Sequence, residues 1–181
     1  MNAPSSSLPR LRYTAALGTW LAAGPVLAAG LDVNVEIPRL NVAEYHRPYV
    51  AVWIERTDNT VASTLAVWYE VKKRDDEGAK WLKDLRQWWR RTGRDLAVPI
   101  DGVTGPTRPA GSHALSFTEG AGALAKLPAG DYRLVVEAAR EVGGREVVAI
   151  PFQWPAAKAQ SSPLAAQGSS ELGAVRLELK P

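Results

Sequence analysis

The chain has 181 residues, with 22 basic and 19 acidic side chains, two histidines and no cysteine. The missing cysteines exclude disulfides, thiolate metal sites and a cysteine nucleophile, and two histidines alone leave only loose carboxylate metal sites open. A formal charge of +3 without a basic stripe sets nucleic-acid binding aside.

Arg10 and Arg12 precede an apolar run over 15–29, interrupted by small residues, Thr19 and Pro25. This is the layout of a secretory signal peptide, and the run is shorter than the roughly 20 residues that cross a bilayer. Val26-Leu27-Ala28 offers a small-residue cleavage site, so residues 1–28 are expected to be removed after Ala28 or Ala29. There is no twin-arginine pair and no lipid-anchoring cysteine. Cleavage after Ala28 removes two arginines and no acid, leaving 20 basic against 19 acidic side chains, a net charge of +1. Residues 29–181 have the size of a single periplasmic domain.

Residues 31–37 alternate apolar and polar, as a strand with one buried face does. Residues 49–55 and 64–72, rich in Val, Trp, Tyr and Leu, read as a hairpin buried on both faces around the Thr57-Asp58-Asn59-Thr60 turn. Over 80–91 the period changes. Trp81, Leu82, Leu85, Trp88 and Trp89 form one stripe, Asp75, Asp76 and Glu77 precede it, and Arg90, Arg91 and Gly93 end it, which predicts one amphipathic helix. Residues 112–118, 131–141, 147–154 and 174–180 read as further strands, and 156–173, rich in Ala, Ser and Gln, as a mobile polar loop. The fold class expected is all-β: an immunoglobulin-like antiparallel β-sandwich of about seven strands with one inserted helix.

Two segments are candidate sites. Asp101-Gly102-Val103-Thr104-Gly105-Pro106-Thr107 resembles the flavinylation motif Asp-x-x-Ser/Thr-Gly-Ala-Ser/Thr, in which an extracytoplasmic flavin transferase esterifies FMN to the last hydroxyl. Asp101, Thr104, Gly105 and Thr107 match, Thr107 is the candidate acceptor, and Arg108 is a neighbour for the phosphate. Pro106 departs from the motif's Ala and pushes Gly105 towards an extended conformation. The other reading of the segment is a surface turn. In the second candidate, Tyr45-His46-Arg47-Pro48-Tyr49, a histidine beside an arginine and two tyrosines suits an anionic ligand or a partner, against a loop whose aromatics merely cover the sandwich edge. Of the tryptophans at 53, 68, 81, 88, 89 and 154, most are expected in the core, the competing reading being that some form a stacking platform for a sugar or an isoalloxazine ring. No hydrolase elbow, diagnostic carboxylate pair or phosphate-cradling loop is present, so no catalytic residue is assigned.

Tyr-His-Arg-Pro-Tyr-x-Ala-x-Trp-Ile-Glu at 45–55, Thr-Leu-Ala-x-Trp at 64–68 and Trp-Leu-x-Asp-Leu-Arg-x-Trp-Trp at 81–89 resemble the bacterial family of predicted periplasmic proteins called domain of unknown function 2271. The likeness continues through Thr-Gly-x-Thr-Arg-Pro at 104–109, Leu-Pro-Ala-Gly-x-Tyr at 127–132, Glu-Ala-Ala-Arg-Glu at 137–141 and Glu-Leu-Gly-x-Val at 171–175. The resemblance implies company with flavin transferases and with PepSY-type membrane proteins of extracytoplasmic electron transfer and iron acquisition. Two functions follow as expectations: a flavin-linked electron carrier with FMN on Thr107, or a non-catalytic binding module without a cofactor that works through the 45–49 loop.

Overall fold

The computed structural model describes residues 28–158 and 162–181. The expected signal peptide therefore lies outside the described residues, except for Ala28. Among the described residues, nine strands form two sheets packed as a β-sandwich. In the first sheet, β1 (Gly30–Ile37) lies between β5 (Gly111–Thr118) and β9 (Ala174–Lys180), and β8 (Leu164–Gln167) pairs with the far side of β9. The second runs β4 (Thr104–Pro106), β3 (Val61–Tyr69), β2 (Tyr49–Arg56), β6 (Gly130–Ala139), β7 (Arg145–Trp154). All pairings are antiparallel except β3 with β4.

The alternation in β1 sends Leu31, Val33, Val35 and Ile37 inward, and Val175, Leu177 and Leu179 of β9 join them. Facing them are Val50, Val52 and Ile54 of β2 with Leu134, Val136 and Ala138 of β6, so a period of two on each sheet builds the main core. The residues between them, Ala51, Trp53 and Val135, point to the opposite face of the second sheet. There they meet Leu82, Leu85 and Trp88 in a second core. The hairpin is thus buried on both faces because the polypeptide over 77–95 folds back across its outer surface.

That excursion is not the continuous helix that the stripe predicts. It is α1 (Glu77–Lys80), a 3-10 turn over Leu82–Asp84, and α2 (Arg86–Arg91), with Leu85 at a non-helical φ of −75° and ψ of 69° between them. A tertiary contact accounts for the break. Glu137 of β6, wholly buried, accepts hydrogen bonds from the backbone N–H groups of Gln87 and Trp88 at 2.8–3.0 Å, so a carboxylate from the sheet caps α2 where an unbroken helix would run through. Leu82 and Leu85 keep their inward positions, each worth about 1.5–3 kcal/mol of burial. Trp88 packs so closely on Gly93 that a β-carbon there would stand 2.5 Å from the indole.

Three further differences have local causes. The third strand spans 61–69 rather than 64–72, because the chain turns into the excursion after Tyr69. Residues 104–106 of the candidate flavin segment are an edge strand, β4, too short for a periodicity to reveal. The 156–173 segment contains β8 and buries Glu171 and Leu172, so its alanines and serines disguise an anchored element. One anchor is Glu146, whose carboxylate accepts the N–H groups of Ser169, Ser170 and Leu172. Burial works to raise its pKa, but those three donors together with the Ser169 hydroxyl outweigh it and hold the group at about 2.

Two predictions follow from these carboxylates. Glu137→Ala leaves the Arg145 guanidinium and two helix N–H groups without their acceptor, and should cost about 3 kcal/mol in urea unfolding. Because the pKa of Glu146 is depressed on folding, its stabilisation is complete above its ordinary 4.5 and is lost as pH falls through about 2. Glu146→Gln should therefore flatten the acid limb of stability between pH 5 and pH 2, measured by thermal melting.

Candidate functional site

At the end of the second sheet where β2 begins and β3 ends, a cleft of about 920 Å³ opens between three walls. The first is the loop entering β2, with His46, Arg47 and Tyr49. The second is the chain leaving β3 and the helical excursion, with Glu70, Lys73, Trp81, Asp84 and Arg86. The third is the β6–β7 turn, with Arg140, Glu141, Val142 and Arg145. Its volume falls in the range of small-molecule sites.

The third wall is held from beneath. Arg140, its side chain 6% exposed, makes a two-pronged ion pair with buried Glu171 at 2.9 and 3.0 Å, while Arg145 pairs with Glu137. Gly143 lies over the Arg140 guanidinium, where a β-carbon would come within 2.4 Å of its central carbon. Val142, 78% exposed, takes a left-handed φ of 51°, a costly conformation for a β-branched residue, forced by the turn that closes through Gly143 N–H to Arg140 C=O. The rim thus carries an apolar side chain held under strain.

On the opposite walls the charges are not neutralised from below. Among the described residues, Arg47, Lys73 and Arg86 form no ion pair, and Asp84 forms none either. Burial pushes the Tyr49 phenol up to about 12. A backbone contact to Glu70 opposes this, and the carboxylates of Glu70, Glu141 and Asp84 add to it, so the group stays a neutral O–H donor with three acids within electrostatic reach. His46 stands between Glu44, at 2.9 Å, and Glu141, at 3.7 Å. Trp81, placed on the core stripe by its spacing, is instead 52% exposed beside the cleft, with the Lys83 ammonium 5.2 Å from its ring centroid. It is the available stacking surface. Trp53, Trp68, Trp88 and Trp154 are core residues, and Trp89 is partly buried against the second core.

The 101–108 segment lies at the neighbouring sheet edge. Asp101 is in an exposed turn, Thr104 accepts a hydrogen bond from Ile100 N–H at 2.8 Å, and Gly105 packs against Trp68. Thr107 is 7% exposed. Its N–H donates to the Tyr69 carbonyl and its hydroxyl donates to Glu70 at 3.3 Å. Arg108 covers the Trp68 ring at 5.4 Å, with His113 at the ring edge. A hydroxyl buried and bonded in this way weighs against access by a modifying enzyme. Glu70 is the residue that joins the two sequence candidates, since it holds Thr107 on one side and lines the cleft with Tyr49 on the other.

Sequence reasoning missed Glu70, Asp84, Arg86, Arg140 and Arg145 as cleft residues. One signal was present. In Val135-Val136-Glu137-Ala138-Ala139-Arg140 two charges interrupt an apolar strand, and such charges are held only where partners await them.

These features define a β-sandwich protein with a charged cleft at one end of its larger sheet. The chain belongs to the family of predicted periplasmic proteins containing domain of unknown function 2271, whose family model matches residues 30–174. No curated protein and no solved structure matches it significantly. No described helix is long and apolar enough to cross a membrane.

Proposed function

We propose that the protein is an exported, non-catalytic binding module that takes a small charged ligand in the cleft between the 45–49 loop, the helical excursion and the β6–β7 turn. The observation that carries this reading is a preformed cleft whose third wall is braced by ion pairs to buried carboxylates, while Arg47, Lys73, Arg86 and Asp84 have none among the described residues. Rigid walls with uncommitted charges lower the ordering cost of binding. Export rests on the signal-like layout of residues 1–28, and since Ala29 is buried and its carbonyl accepts Glu119 N–H, cleavage after Ala28 keeps a contact that cleavage after Ala29 removes.

Covalent FMN on Thr107, attached by a flavin transferase and exchanging electrons with a PepSY-type membrane partner, is the second reading. The match of the 101–107 segment and the position of Arg108 beside the acceptor favour it. The burial of the Thr107 hydroxyl weighs against it.

Two measurements separate the readings. Thermal melting of the mature protein against a panel of small charged compounds should find a ligand that stabilises it by about 2.7 kcal/mol at a hundredfold its Kd. Trp81→Ala and Arg86→Ala, both at exposed positions, should abolish that gain without lowering the melting point of the free protein. A panel with no stabilising compound sinks the cleft reading. The intact mass after periplasmic co-expression with a flavin transferase should correspond to a chain beginning at Ala29 with no addition. An increment of one FMN less water, lost in Thr107→Ala, would establish the second reading instead.

A further inference from the structure

The chemistry of the cleft points to a class of ligand. We infer that it binds a zwitterion of the short-peptide kind, with the ammonium among Glu70, Asp84 and Glu141 and the carboxylate on Arg47, Arg86 and Lys73; this rests on the binding reading above. Both signs of charge line the one cleft, yet among the described residues no arginine or lysine of the lining pairs with a carboxylate of the lining. Neighbouring opposite charges on a free surface ordinarily collapse onto each other. Here they do not, although Glu70, Lys73, Asp84 and Arg86 share the second wall, and the two arginines of the third wall are already matched by Glu171 and Glu137 beneath.

A simple anion leaves Glu70 and Asp84 without a basic partner, Glu141 having only His46 at 3.7 Å, and a simple cation leaves the three basic groups unmatched. A dipolar ligand answers both sets and loses less on leaving water, because each of its ends meets a charge-assisted partner. All three acids line the cleft together with Tyr49, whose neutral phenol is one more donor there. Trp81 and Val142 supply the apolar surface of the rim, suited to an aromatic or aliphatic side chain. A volume of about 920 Å³ is generous for a single amino acid and suits a peptide of two or three residues.

The test is isothermal titration of the mature protein with phenylalanyl-glycine, its N-acetylated form and its C-terminal amide. The free dipeptide should bind, and each blocked form should bind about tenfold or more weakly, the scale of one lost charge-assisted contact. Asp84→Asn should weaken the free dipeptide while leaving the N-acetylated form unchanged, a pattern that general loosening of the fold cannot produce. Equal binding of all three forms overturns the dipolar assignment and leaves the cleft reading standing. Loss of binding on amidation alone overturns it in favour of an anion site. Absence of heat with the free dipeptide at millimolar concentration overturns it too, and the compound panel then decides the cleft reading separately.

Discussion

The attachment of α2 to the second sheet through buried carboxylates is the constraint on which the rest of this molecule depends. Glu137 receives the first N–H groups of α2 from beneath, and Glu55, 1% exposed, receives Arg91 from its last turn together with Arg133 and the Trp53 indole. A six-residue helix has almost no stability of its own in water. Its position is set by two charges planted in the sheet and by the apolar side chains between them. Both carboxylates are fully supplied with donors, the condition under which a buried charge is tolerated. Remove the excursion and Trp53, Val67 and Val135 lose their cover, and the cleft loses its second wall.

The two sheets were legible in the sequence wherever one face is buried and the other wet, as in β1 and β9, because period-two alternation is a direct imprint of that environment. The stripe over 81–89 correctly marked Leu82, Leu85 and Trp88 as buried, yet implied a regular helix and a buried Trp81. Spacing reports which side chains recur on a face, whereas the break at Leu85 is imposed by Glu137, some fifty residues away. No local window contains that information. The strands β4 and β8 escaped for a different reason: with three and four residues and small side chains, their pairing to β3 and β9 supplies the order that their own sequence lacks.

For the site, the aromatic loop was visible and its counterpart across the cleft was not. Arg140 and Arg145 become cleft residues only through the β6–β7 turn, and Glu70 through the end of β3. Thr107 shows the converse case. Read as letters, the segment has the small residues and hydroxyls of an accessible loop, but its fourth to sixth positions add to a sheet edge and its last hydroxyl turns inward to Glu70. The same composition serves an exposed loop or an edge strand, and only the neighbour decides.

Pro106 acquires a meaning from that edge. Every open sheet ends in a strand whose outer hydrogen-bonding groups invite another chain, so such a strand is a hazard for self-association. The second sheet ends in a strand of three residues whose last member lacks an N–H, so the ladder has little length and one fewer donor to offer a newcomer. β7, at the opposite edge of the same sheet, carries Pro151 within its span. Each border of the larger sheet therefore carries a proline that withholds one donor from a newcomer, and the position at which this chain departs from the flavin acceptor motif is one of the two.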